Sequence, residues 1–322
     1  MKLVITGALG HIGSRLIHEI PAGMFHKVDL LDNLSTQRYP VLFDLPEDLP
    51  TRFFEEDILT ADLEKYFEGA SVVVHLAAIT NAEASVDAPE EVERTNYQGT
   101  ERVARACADC GSKLIFLSTT SVYGVQEDQV DEDCPVEQLQ PQSPYAASKL
   151  KAEFMLQDMG RRDGLDFVIC RFGTIFGVST GMRFHTAVNK FCWQAAIGQP
   201  LTVWKTALNQ KRPYLDLGDA VEALKFIIER DYFDRSLYNV VTANATVKDI
   251  VDQIAEHVPD LAIQYVDSPI MNQLSYEVAN RRFTDLGFQF KGSLEEGIAA
   301  TMKLLAGVRH SGNESRGYRR DE

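Results

Sequence analysis

Tyr145 and Lys149 bracket the run Tyr145-Ala146-Ala147-Ser148-Lys149, and together they could form a base. On a helix that spacing puts the phenol and the ammonium on one face. A positive charge beside a phenol favours the phenolate and lowers a pKa that otherwise stands at about 10. Ser143-Pro144, just upstream, supplies an N-cap and a first-turn proline, so helix onset falls where the pair needs it. Near the N-terminus, Thr6-Gly7-Ala8-Leu9-Gly10-His11-Ile12-Gly13 follows the apolar run Lys2-Leu3-Val4-Ile5 and opens into the amphipathic stretch Ile12 to Ile20. A strand, a glycine turn and a helix in that order let the backbone approach a dinucleotide pyrophosphate. A tyrosine base beside a nicotinamide site means hydride transfer at an alcohol carbon.

Asp32 ends the next strand-like run, at a distance suited to bonding ribose hydroxyls. A carboxylate there repels a 2′-phosphate, so NAD is expected rather than NADP. Asn33 carries no compensating charge, and Lys27 and Arg38 are not where such a charge is expected. His75 ends an apolar run and reads as a structural histidine rather than a base.

These residues need a scaffold. Apolar runs at Leu3–Thr6, Val28–Asp32, Arg52–Glu55, Val72–Leu76, Lys113–Ser118 and Phe167–Arg171 alternate with helical patterns at Ile12–Ile20, Pro89–Ala108 and Pro144–Gly160. That alternation predicts α/β architecture, a parallel sheet with helices on both faces. After Arg171 the rhythm changes. Helical segments are expected at Ala187–Ile197, Ala220–Ile228, Val247–His257 and Ser293–Leu305, with strands at Leu201–Trp204 and Tyr238–Val241, as in a smaller mixed domain. The stretch 307–322 is polar and charged, and disorder is expected there.

The 322 residues carry a net charge of −15, which argues against a nucleic-acid or anionic-membrane surface. No apolar stretch approaches a membrane span, and no secretory signal is apparent. Five cysteines, an odd number, fit reduced thiols in a cytoplasm. Cys107-Ala108-Asp109-Cys110 falls late in a helical pattern with no second pair or histidine nearby, so no metal site is expected.

The glycine turn and the Tyr145–Lys149 pair together resemble the extended short-chain dehydrogenase/reductases, and within them the NAD-dependent nucleotide-sugar epimerases and dehydratases. The likeness runs from Met1 to about Leu305. It implies a Rossmann-type doubly wound parallel sheet spanning 1–173, a return segment near 213–241, and a smaller C-terminal mixed α/β substrate domain from 174–212 and 242–306. It implies NAD held by Gly7, Gly10, His11, Ile12 and Gly13, by Asp32 and Asn33, and by Leu76, Ala77, Ala78 and Asn96, with Tyr145 and Lys149 at the nicotinamide ribose. Asp57 and Ile58 are implied at the adenine edge; the alternative for Asp57 is a surface carboxylate.

The resemblance also places Thr119 where a hydroxyl bonds the reacting oxygen. A hydroxyl both donates and accepts, so it can hold an alcohol and then a ketone. Sugar 4,6-dehydratases of the family usually carry Asp-Glu at the next two places. Here they are Thr120 and Ser121, which counts against elimination of water unless Glu83 or another carboxylate is recruited. The segment Arg171-Phe172-Gly173-Thr174-Ile175-Phe176-Gly177 has Thr174 in place of the family's substrate-contacting asparagine. Arg183 and Arg212 are expected at the substrate's phosphates, or else as surface ion-pair partners, with Asn189 nearby. The implied activity is epimerisation through transient oxidation at sugar carbon 4. A 4-dehydrogenase, a 4,6-dehydratase and a non-catalytic NAD sensor are the alternatives. A symmetric homodimer is expected from the Pro89–Ala108 and Pro144–Gly160 helices.

Overall fold

The computed structural model describes residues 1–126, 129–205, 207–267 and 275–308. The near-continuous apolar runs become strands, covered on both faces except at the edge strand β3. They are β1 (Lys2–Thr6), β2 (Lys27–Asp32), β3 (Thr51–Glu55), β4 (Val72–His75), β5 (Lys113–Thr119) and β6 (Phe167–Phe172). The remaining strands are β7 (Thr174–Phe176), β8 (Leu201–Trp204), β9 (Lys211–Asp216), β10 (Leu237–Val240), β11 (Ala243–Thr246) and β12 (Ile263–Val266). One parallel sheet has the order β10-β6-β5-β4-β1-β2-β3. Its strand order reverses between β1 and β4, and in such sheets ligands bind outside the strand carboxyl ends at that reversal. Thr6 of β1, His75 of β4 and Thr119 of β5 all lie at those ends.

Helices cover both faces. Leu16 and Ile17 of α1 (His11–Glu19) share one apolar core with Leu224 and Ile227, two residues from a later helix, Leu217–Arg230. The opposite face is covered by α2 (Leu63–Phe67), α3 (Pro89–Val92), a π-helical stretch (Glu93–Gln98), α4 (Gly99–Cys110) and α5 (Pro144–Arg162). There Val103, Cys107, Leu156 and Met159 pack on Val73, Phe116 and Ile169. Cys107 is thus a core thiol, pushed well up in pKa by burial, and all five cysteines are free.

A third core joins α6 (Ala187–Ala196), α8 (Val247–Ala255) and α10 (Leu294–Leu304) through Val188, Phe191, Ile250, Ile254, Ile298 and Met302. Two small sheets accompany it, β11-β9-β7 and β12-β8. The sequence pattern had not suggested β7, β9, β11 or β12. They are short, and Pro213 in β9 and the exposed face of β12 hide their alternation. The return to the large sheet is also narrower than 213–241. Residues 213–216 pair in the small sheet, and it is α7 (Leu217–Arg230) and β10 that pack back, with Leu237–Val240 against Ile169–Phe172. Residues 309–322, most of the tail expected to be disordered, lie outside the described residues. Among the described residues, no helix is long and apolar enough to cross a membrane, and no cluster of His, Cys, Asp and Glu could hold a metal.

Candidate active site

The glycine turn leaves β1 through Gly7, whose φ of +66° is costly for any residue with a Cβ. A Cβ there would stand 2.5 Å from the Ala77 nitrogen, so glycine is also what lets the turn meet the end of β4. Gly10 then begins α1 with no side chain capping it, which leaves the first helical N–H groups free for an anion. Asp32 is fixed to this turn. Its Oδ2 accepts from Leu9 N at 3.1 Å and its Oδ1 from Leu34 N at 2.9 Å. Asn33 Nδ2 donates to Asp57 Oδ2 at 3.1 Å, and Asp57 Oδ1 accepts from Leu59 N at 2.8 Å. Ile58, beside them, is buried.

Two histidines turn out to be fasteners. Thr100 spends its hydroxyl proton on Asn96 O at 2.6 Å, so it accepts from His75 Nε2 at 3.0 Å. His75 Nδ1 then accepts from Thr6 Oγ1 at 2.7 Å. Burial and the Lys149 charge lower the His75 pKa to about 3, so the ring is neutral and structural, as its sequence context suggested. His11 Nε2 donates to Gly177 O at 2.9 Å, and burial, reinforced by Arg183, lowers its pKa to about 3. Its ring therefore ties the glycine turn to the loop after β7. Asn96 is fully buried and fully used: its Oδ1 accepts from Ile79 N at 2.8 Å, and its Nδ2 donates to Ile79 O at 2.9 Å and Ser148 Oγ at 3.3 Å. It clamps the segment that follows Leu76-Ala77-Ala78 to α5, an indirect role where a direct cofactor contact was expected.

The reacting end is one cavity of about 240 Å³, lined among others by Thr119, Tyr145, Lys149, Arg183 and Arg212. Ile12, Leu76, Ala78, Glu83 and Thr174 also reach its wall. Ser143 caps α5 as its sequence indicates, accepting from Ala146 N at 3.2 Å. Thr119 Oγ1 accepts from Ser121 N at 3.1 Å, which leaves the hydroxyl proton for Tyr145 or a ligand. Burial pushes the Tyr145 pKa up, while the Arg183 guanidinium and the Thr119 hydrogen bond pull it down. Lys149 Nζ lies 4.7 Å from the Phe116 ring centroid, and burial lowers its pKa to about 7 against the opposing pull of Glu153. Arg183 is thus a cation that acts on the phenol. Glu153 itself is buried in a two-pronged pair with Arg171, at 3.0 and 2.6 Å, and also accepts from Ser118. This pair pins α5 to β5 and β6 at the depth that sets Tyr145 and Lys149.

The substrate end departs from the sequence reading at two residues. Thr120 is buried and donates to Phe172 O at 3.3 Å, off the cavity wall; Ser121 takes the lining position instead. Asn189 is buried too. It accepts from Gly177 N at 3.2 Å and donates to Arg183 O at 3.0 Å, so it shapes the loop carrying Arg183 rather than touching the cavity. That loop docks on the glycine turn through Gly181, where a Cβ would stand 2.4 Å from Leu9 O. Arg183 Nη1 donates to Thr80 Oγ1 at 2.5 Å, while its Nε is buried without a partner. Arg212 lies 5.8 Å from the Trp204 ring centroid with buried, unpartnered Nε and Nη2. Among the described residues, neither arginine has an ion-pair partner. Tyr276, which no sequence pattern singles out, is buried on the same wall, where burial raises its pKa and the neighbouring Thr120 hydroxyl, the Arg212 charge and the Ser121 hydroxyl pull it back.

Comparison with known proteins agrees with this geometry. A UDP-glucose 4-epimerase from Thermus thermophilus, solved with NAD, superposes with a TM-score of 0.84 at 26% identity, covering 96% of this chain and 100% of that one. A UDP-glucuronic acid 4-epimerase from Bacillus cereus, solved with UDP-glucuronic acid and NAD, gives 0.87 at 25% identity, covering 95% and 99%. A trifunctional UDP-glucose 4,6-dehydratase/UDP-4-keto-6-deoxy-D-glucose 3,5-epimerase/UDP-4-keto-L-rhamnose-reductase of Arabidopsis thaliana is 29% identical over 94% of this chain. This chain spans only about half of that longer protein, 47%. An uncharacterised UDP-glucose epimerase of Bacillus subtilis is 30% identical over 80% of this chain and 82% of its own length. The family model for NAD dependent epimerases and dehydratases matches residues 3–240, and the chain belongs to that family.

Proposed function

We propose that this protein is an NAD-dependent nucleotide-sugar epimerase acting through transient oxidation at sugar carbon 4. One observation carries the reading: Thr119, Tyr145 and Lys149 share a single cavity, and the two residues after Thr119 are hydroxyls, not acids. The cofactor fits the residues present. Gly7 opens the turn, Gly10 leaves the start of α1 uncapped, and the unspent lone pairs of the Asp32 carboxylate are available to ribose hydroxyls. Gly7, Gly10, His11, Ile12 and Gly13 would hold the pyrophosphate, and Asn33, Asp57 and Ile58 the adenosine. NAD, when bound, supplies the hydride acceptor and later the donor.

The chain's own residues do the rest. Tyr145, whose pKa burial raises while Arg183 and Thr119 pull it back, takes the proton from the 4-hydroxyl as its phenolate. Thr119 holds the same oxygen as alcohol and as ketone. General-base assistance of this kind is worth about two to four orders of magnitude in rate. Lys149 would hold the nicotinamide ribose from the α5 face it shares with Tyr145. The unpartnered donors of Arg212, next to Trp204, would meet the diphosphate, a charge-assisted contact that the net acidity of the chain makes necessary. Arg183 and Thr174 would contact the sugar end.

A cofactor domain over 1–173, with α7 and β10 returning to it, and a substrate domain built around the third core are supported by where the cores lie, although Ile175, Leu215, Phe283 and Phe288 join the core of the cofactor domain. A cytoplasmic location suits the five free thiols. A homodimer through the α4 and α5 faces is supported by Phe154, 39% exposed on α5; light scattering that gives one monomer mass at micromolar concentration would retire it.

One observation keeps a second reading in view: Glu83 lines the cavity, so it could serve as the acid of a dehydratase. A panel of UDP-, GDP-, CDP- and dTDP-sugars turned over in heavy water separates the two by mass spectrometry and NMR. The epimerase returns a sugar of unchanged oxygen content with no deuterium at carbon 5. A product lighter by one water, with deuterium at carbon 5, makes the enzyme a 4,6-dehydratase.

A further inference from the structure

Arg38 did not stand in the sequence where a cofactor contact was expected, yet the fold carries it to the glycine turn. Leu34 and Gln37 both adopt left-handed backbone, with φ of 56° and 53°, and Gln37 N donates to Leu34 O at 2.8 Å. Two such residues in five positions are uncommon and fold the segment after β2 back on itself. The result places Arg38 Nη1 within 3.7 Å of the point where a Cβ on Gly10 would sit. Among the described residues no carboxylate lies within ion-pair distance of this guanidinium.

A second guanidinium is near. The Arg38 charge acts on Arg183, and the two arginines together with burial hold His11 and His185 neutral, with pKa values of about 3 and about 4. Asp32 acts on Arg38 as well, but from beyond ion-pair distance, and one lone pair on each of its oxygens is already taken by Leu9 N and Leu34 N. In a chain of net charge −15, two neighbouring arginines with no ion-pair partner among the described residues suit an anion from outside. Burial disfavours the charged form of Arg38, which is the cost of holding it ready.

We propose that Arg38 is a cofactor-positioning residue that closes over the glycine turn and binds the dinucleotide pyrophosphate opposite the start of α1. The proposal rests on the NAD reading above. The pyrophosphate is favoured over a 2′-phosphate because the guanidinium lies at the Gly10 end of the turn and beyond ion-pair distance of Asp32, which marks the ribose. A planar guanidinium can give two parallel hydrogen bonds to phosphate oxygens, a match that a lysine lacks.

Calorimetric titration of cofactor-stripped protein with NAD, NADP, ADP and adenosine tests this, with Arg38→Met and Arg38→Lys beside the native chain. Arg38→Met should bind NAD and ADP about ten- to a hundredfold more weakly, as expected for losing charged hydrogen bonds, and adenosine equally well. Arg38→Lys should fall between, and both variants should melt as the native protein does. Equal loss on ADP and adenosine, or a loss confined to NADP, overturns the proposal. So does unchanged NAD binding in Arg38→Met while the native protein binds NAD. A native protein that binds neither NAD nor ADP sinks the cofactor reading itself, and this proposal with it.

Discussion

Replacing Lys149 by methionine should stabilise the cofactor-free protein while abolishing turnover. Lys149 is 4% exposed, and burial lowers its pKa from 10.5 to about 7. The folded chain therefore binds this proton more weakly than the unfolded chain does. Below pH 7 both states are charged and the folded state bears the full penalty, about 5 kcal/mol at about 1.4 kcal/mol per pKa unit. Between pH 7 and 10.5 the unfolded state holds a proton that the folded state has released, so stability rises with pH. Above 10.5 both are neutral and the penalty is gone.

Methionine has a similar length and no charge to desolvate. The contact with the Phe116 ring is kept in part, and Glu153 retains Arg171 and Ser118 as partners. After allowance for these losses, Lys149→Met should exceed the native stability by about 2–4 kcal/mol at pH 6.5, with the gap closing by pH 10. Urea denaturation of both proteins across pH 6 to 10 measures it. A variant less stable than the native protein at pH 6.5, or a gap that does not shrink as the pH rises, refutes the argument.

Other substitutions test other links. Tyr145→Phe keeps the ring and removes the ionisable oxygen, so turnover on a confirmed substrate should drop by about two to four orders of magnitude with the melting temperature little changed; near-normal turnover would rule out the mechanism. Asp32→Asn removes a charge while leaving an oxygen for the glycine turn, so the preference for NAD over NADP should narrow in calorimetric titration, and equal affinity of the native protein for both would contradict the role of Asp32. Glu153→Gln strands the buried Arg171 charge and should cost about 3–5 kcal/mol in urea denaturation; a loss below about 1 kcal/mol would mean the pair does not pin α5.

The large sheet, the glycine turn, the Tyr145–Lys149 helix and the structural character of His75 were legible before any fold was known. Each is encoded locally. Strands covered on both faces are continuous apolar runs, a Ser-Pro pair marks a helix start, and four-residue spacing fixes a shared helix face whatever surrounds it. Short strands with one exposed face, such as β12, or with a proline, such as β9, carry too little periodicity to be read. The partners of polar side chains were not legible at all. Asn96 and Asn189 look like ligand contacts in the sequence, yet the fold uses up their amides on Ile79, Gly177 and Arg183. Arg183 lies 38 residues beyond Tyr145 in the chain, and only the docking of Gly181 on the glycine turn brings its charge to the phenol. Arg38 reaches Gly10 because two left-handed residues reverse the backbone between them. Charge and hydrogen bonding act through distances of a few ångströms, and those distances between remote segments exist only once the chain has folded.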